Sequence, residues 1–168
     1  MGVAVARRVQ LPDPLQHSAT TTVPLMLFSM TYSNSAVLSA SVLVVDDDRD
    51  AREMLSEYLA FCGFVVHRAQ DGGEAIEVAV RVRPRVVLMD LMMPRVDGWE
   101  ATRRLKTDER TKGMAIIAVS ACSQNDDQAR ARRVGCDDFI PKPIDLEQIA
   151  RLVNGLLASG HSDPAEIP

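Results

Sequence analysis

Short, uninterrupted apolar runs alternate along this chain with amphipathic stretches. The runs are Val42-Leu43-Val44-Val45, Phe64-Val65-Val66, Val86-Val87-Leu88-Met89, Ala115-Ile116-Ile117-Ala118-Val119 and Phe139-Ile140. They recur roughly 22 to 30 residues apart, the length of a strand plus a crossover helix. Runs rich in Val and Ile without polar alternation suit strands buried on both faces of a parallel sheet, so helices must cover both sides. The intervening segments supply them. Met54, Leu55, Tyr58 and Leu59 mark one helical stripe, and Ile144, Ile149, Leu152, Val153 and Leu156 mark the last. Gly63 and Gly135 stand where helices should stop, each just before the next strand. The pattern predicts an α/β fold, a doubly wound five-stranded parallel sheet of (βα)5 type. Its crossovers are expected to be right-handed, and its functional site to lie beyond the carboxyl ends of the strands where strand order reverses.

The flanks lack this patterning. Residues 1–40 hold one acidic residue, Asp13, with Pro12, Pro14, Pro24 and many Ser and Thr, and are expected to be a flexible leader. Met26 or Met30 is a candidate for the true start of translation. The apolar stretch at 23–30 is too short to cross a bilayer. Residues 158–168 are expected to be a short flexible tail, leaving 41–157 as one domain. Composition is that of an ordinary globular protein, 46% hydrophobic and 25% charged. A net charge of -4 provides no basic field for nucleic acid. Cys62, Cys122 and Cys136 form no CxxC pair, and we expect free thiols in a reducing, cytoplasmic setting.

The polar residues fall where the sheet prediction makes them converge. Asp46, Asp47 and Asp48 follow the first strand, Asp90 closes the third, Ser120 closes the fourth, and Lys142 comes just after the fifth. With strand order 2-1-3-4-5, the first and third strands are neighbours and their carboxylates share one edge. Clustered carboxylates repel unless a cation sits among them or some take up protons. Magnesium suits such a set, because it accepts one or two protein carboxylates and a phosphate oxygen. A carboxylate can then act as nucleophile and form an aspartyl phosphate. Asp90 is the candidate, since it ends a central, rigid strand, whereas Asp46 and Asp47 stand in a turn and suit metal ligation. Asp48 is read as a turn residue or helix cap, and Asp97 in the turn Pro94-Arg95-Val96-Asp97-Gly98 as a cap. His67 and Trp99 are read as packing or surface residues.

The four segments VLVVDDD, VVLMDLMMPRVDG, AVSA and DDFIPKP, in this order and spacing, resemble the response-regulator receiver family of two-component signalling over residues 41–157. The resemblance implies a flavodoxin-like sheet, magnesium held by Asp46, Asp47, Asp90 and the backbone carbonyl of Met92, and phosphorylation on Asp90. By the same resemblance Ser120 is the switch hydroxyl, Lys142 the phosphoryl-pairing lysine, Phe139 the switch aromatic, and Lys142-Pro143 a cis peptide. The implied donor is a sensor histidine kinase or a histidine phosphotransfer protein. The implied readout is a change in the surface of the fourth helix, fifth strand and fifth helix. Output is expected to pass to an unidentified protein, from a monomer or weak homodimer, with no direct nucleic-acid or membrane contact. A relay intermediate is the alternative.

A haloacid-dehalogenase-like phosphohydrolase also forms an aspartyl phosphate, but it needs a second acid two residues after the nucleophile, where this chain has Met92. An unphosphorylated receiver-like module would lack acids that are present here. A dinucleotide fold would need glycines where Asp46 to Asp48 stand. Since neither Met92 nor Cys122 is suited to hold an attacking water in line, slow loss of the phosphoryl group is expected.

Overall fold

The structure is a computed structural model that describes residues 40–121 and 125–159. Most of the expected leader, Cys122 and nearly all of the expected tail lie outside the described residues.

Five strands alternate with five helices among the described residues. They are β1 (Ser41–Val45), α1 (Arg49–Phe61), β2 (Val65–Ala69), α2 (Gly72–Val82), β3 (Val86–Asp90), α3 (Gly98–Thr107), β4 (Ala115–Ser120), α4 (Asn125–Val134), β5 (Asp138–Pro141) and α5 (Leu146–Ala158). The strands form one parallel sheet in the order β2-β1-β3-β4-β5, as the apolar spacing predicts.

Because successive side chains on a strand point to opposite faces, each apolar run feeds two cores. Leu43, Val45, Val87, Met89, Ile116 and Ala118 pack with Ala75, Val78, Trp99 and Leu105 from α2 and α3. Val42, Val44, Val86, Leu88, Ile117 and Val119 pack with Leu55, Leu59, Ile149 and Val153 from α1 and α5. The central strands are buried along their whole length, which is why they read as unbroken apolar runs.

Four of the helices start on an aspartate. Asp48, Asp71, Asp97 and Asp145 accept hydrogen bonds from the first-turn amides of Ala51, Glu74, Glu100 and Glu147, at 2.8 to 2.9 Å. Asp48 and Asp97 therefore act as the caps expected of them. Gly63 and Gly135 adopt φ of 95° and 106°, a left-handed conformation that ends α1 and α4.

One strand departs from expectation. The run Phe64-Val65-Val66 predicts a strand over those residues, yet β2 continues through His67 and Arg68 to Ala69. As an edge strand it is half solvated, so polar side chains are tolerated there and apolar runs underestimate its length.

Leu43 is fully buried at the centre of one core. Leu43→Ala should cost about 2–5 kcal/mol, measured as a loss of stability in urea denaturation.

Candidate functional site

The neighbouring strands β1 and β3 pair Val45 with Met89, so the next residues, Asp46 and Asp90, emerge side by side at the carboxyl edge. Ser120 ends β4 on the other side of Asp90, and Lys142 follows the last residue of β5. The parallel sheet thus gathers the expected residues from four strand ends.

Lys142 Nζ donates to both buried carboxylates, lying 2.6 Å from Asp90 Oδ2 and 2.9 Å from Asp46 Oδ2. Asp46, Asp47 and Asp90 each offer a carboxylate oxygen, and these oxygens lie within 4.8 Å of one another. Asp46 and Asp90 are each only 4% exposed, whereas Asp47 is exposed. The cluster therefore combines a fixed inner pair with one solvent-facing member.

Backbone groups hold the inner pair in place. The Asp48 amide donates to Asp46 Oδ1 at 2.9 Å, and the Met92 amide donates to Asp90 Oδ1 at 2.8 Å. Each carboxylate is thereby divided, with Oδ1 bound to a main-chain amide and Oδ2 turned to the ammonium. Arg52 Nη1 donates to the Asp46 carbonyl at 2.6 Å, tying the first turns of α1 to the same loop. After β3 the chain turns back so closely that a Cβ on Gly98 would sit 2.0 Å from the Asp90 carbonyl oxygen. Only glycine fits there, and its amide donates to the Leu91 carbonyl at 3.2 Å. Gly98 thus joins site support to the turn role expected of it.

The fifth-strand end is also anchored. The Lys142 amide donates to the Ser120 carbonyl at 2.8 Å, and the Lys142-Pro143 peptide is cis, as the receiver resemblance implies. Ser120 is fully buried. Phe139 is half-buried against the core shared with α2, α3 and α4, beside Ala118 in the sheet register.

Burial pushes the Asp90 carboxyl above its ordinary range. Hydrogen bonds from Lys142 and the Met92 amide, with the ammonium's charge, oppose that rise, and the neighbouring Asp46 charge adds to it. For Lys142, burial acts to lower the ammonium's pKa, but its hydrogen bonds and charge attraction to Asp90 and Asp46 prevail and leave it raised. Two like charges about 4 Å apart repel by about 4 kcal/mol at an effective dielectric of 20, so one ammonium cannot neutralise three carboxylates. The donor set is all oxygen and carries excess negative charge, which fits a hard divalent cation. Asp46, Asp47 and Asp90 could hold such an ion.

Two supports of the Asp46 loop escaped sequence reading, as did the Met92 amide that holds Asp90. The Asp48 amide and the Arg52 guanidinium both act on the Asp46 loop. A main-chain donor leaves no mark in residue identity, and an arginine one turn into a helix looks like any solvated helix residue. The expected residues themselves all occupy the carboxyl edge or the strands leading to it.

Residues 42–154 match the family model of the response regulator receiver domain. Protein PilH of Pseudomonas aeruginosa is 35% identical over 119 residues, which cover 71% of this chain and 98% of PilH. Response regulator MprA of Mycobacterium leprae is 37% identical over 124 residues, 74% of this chain and 54% of MprA. The chain spans about half the length of MprA and of RpaA from Synechocystis. Among solved structures, the chemotaxis protein CheY4 of Vibrio cholerae superposes with a TM-score of 0.67 at 27% identity, over 70% of this chain and 98% of CheY4. The acidic cluster at the carboxyl edge of a 2-1-3-4-5 sheet and the family match over most of its length lead to one conclusion: this chain belongs to the response regulator receiver domain family.

Proposed function

We propose that this chain is a signalling switch that accepts a phosphoryl group on Asp90 from a phosphohistidine donor, a sensor histidine kinase or a histidine phosphotransfer protein. The observation that carries the reading is the buried Asp46 and Asp90 pair bridged by Lys142, with Asp47 alongside. Asp90 is the nucleophile because it alone of the three acids ends a central strand, where the backbone is rigid, whereas Asp46 and Asp47 stand in the loop after β1. An Asp90 oxygen bonds phosphorus as the donor's P–N bond breaks, and the electron pair of that bond returns to the imidazole. Lys142 stands ready to pair with the transferred oxygens, since its ammonium already contacts the attacked carboxylate.

Asp46, Asp47, Asp90 and the Met92 carbonyl would hold magnesium, which when bound supplies positive charge against the phosphoryl oxygens. The transferred group then attracts the Ser120 hydroxyl, and Phe139 follows into the space left. That movement alters the surface of α4, β5 and α5 for a partner to read. Apart from its own phosphorylation and slow dephosphorylation, the chain performs no chemistry. No helix among the described residues is long and apolar enough to cross a membrane. The phosphohydrolase alternative has no support in the comparisons, and Met92 occupies the place of the acid it requires.

Incubation with acetyl phosphate and magnesium should add one phosphate to the parent chain and none to Asp90→Asn, read by intact mass. An unmodified parent would sink the proposal. The phosphorylated protein should lose its label slowly, because the Met92 side chain cannot orient a water, and Met92→Asn should shorten the lifetime. A parent half-life of seconds would refute the slow-hydrolysis reading.

Electrostatics provide a separate check. The raised pKa of Asp90 means that the folded protein binds its proton more tightly than the unfolded chain, so ionising Asp90 disfavours folding. In metal-free buffer at neutral pH, Asp90→Asn should therefore melt at a higher temperature than the parent. The advantage should shrink as pH falls through the raised Asp90 pKa towards the ordinary aspartate value of 3.8 and be gone below it, and magnesium should raise the parent's melting temperature more than the variant's.

A further inference from the structure

The loop between β3 and α3 carries the Met92 amide that fixes Asp90, and it contains a costly backbone conformation. Arg95 has φ of 69°, in the left-handed region that a non-glycine residue enters only when its surroundings hold it there. The contacts that could hold it come from α2. The Arg95 guanidinium pairs with Asp71 Oδ2, and the Gly72 amide donates to the Val96 carbonyl at 3.1 Å. The approach at Gly72 is close enough that a Cβ there would lie 2.6 Å from that carbonyl oxygen.

Exposed ion pairs usually contribute little, because two mobile side chains must be immobilised. Here one partner is already immobile. Asp71 caps α2, its Oδ1 accepts from the Glu74 amide at 2.9 Å, and its side chain is 14% exposed. The carboxyl is held below its ordinary range by that backbone hydrogen bond, with Arg95 contributing. A single aspartate thus starts α2 with one oxygen and restrains the phosphoacceptor loop with the other.

We propose that Asp71 and Arg95 form a positioning clasp that, with the Gly72 to Val96 hydrogen bond, fixes the β3–α3 loop and keeps the Met92 backbone in register with Asp90. The clasp touches neither the phosphoryl group nor a metal and acts through the loop. Its importance to phosphorylation rests on the reading of Asp90 as phosphoacceptor, but its effect on the loop does not.

The test uses the full chain as Asp71→Asn, Arg95→Gly and the double variant. Asparagine caps a helix as well as aspartate does, so Asp71→Asn removes the ion pair while sparing α2. Glycine adopts the left-handed conformation without strain, so Arg95→Gly makes the clasp unnecessary. Amide hydrogen exchange of Met92, Met93, Arg95, Val96 and Asp97, measured by NMR without metal, should quicken about tenfold in Asp71→Asn, the scale expected when strain at one such residue is no longer held. Exchange should return to parent rates in the double variant. The magnesium concentration for half-maximal phosphorylation by acetyl phosphate should rise in Asp71→Asn and recover in the double variant.

Parent-like exchange in a folded Asp71→Asn, or a double variant no slower than Asp71→Asn, would overturn the clasp. An unphosphorylated parent with clasp-dependent exchange would instead sink the Asp90 reading and leave the clasp standing.

Discussion

Two buried carboxylates with a third within reach at the surface are an unstable arrangement, and most features around this site reduce that instability. Lys142 spans the two buried acids, and main-chain amides take one oxygen from each. These contacts satisfy geometry but leave excess negative charge, which is the condition a divalent cation and then a phosphoryl group can use. The site is held short of neutrality. That shortfall favours uptake of a divalent cation at this edge.

The sheet makes the crowding possible at all. Asp46 and Asp90 are brought together by in-register pairing of β1 with β3 rather than by local chain geometry. Lys142 reaches them from just beyond β5, two places from β3 and three from β1, anchored to Ser120 through its amide. Two apolar cores, one on each face, keep this register rigid, since slipping a strand by one residue would exchange the faces of every side chain. The aspartate caps add a second economy. Loops at this edge end in acidic residues that start helices, so the segments that deliver the chemistry are short and tied at both ends.

The same edge connects the site to the rest of the domain. Gly98 brings the first turn of α3 onto the Asp90 carbonyl, and the next residue, Trp99, lies buried beneath the Arg130 guanidinium of α4 at 4.2 Å. Asp71 links α2 to the loop after β3. The helices that frame Asp90 are thus coupled to it by packing, hydrogen bonds and an ion pair.

Much of this was legible in residue order. Unbroken Val and Ile runs specified a parallel sheet covered on both faces, because only strands without a solvent side can dispense with polar alternation. Their spacing gave the helices, and the polar residues at the run ends located the site. The edge strand β2 was less legible, because partial solvation admits His67 and Arg68. What tertiary structure alone decided was how the charges are shared: which oxygen of Asp46 and Asp90 faces Lys142, how Arg52 supports the Asp46 loop, and why Arg95 sits in a left-handed conformation against Asp71. Hydrophobic periodicity is a local property that a chain carries in its order. Hydrogen bonds between distant segments depend on distances that exist only after the sheet has closed.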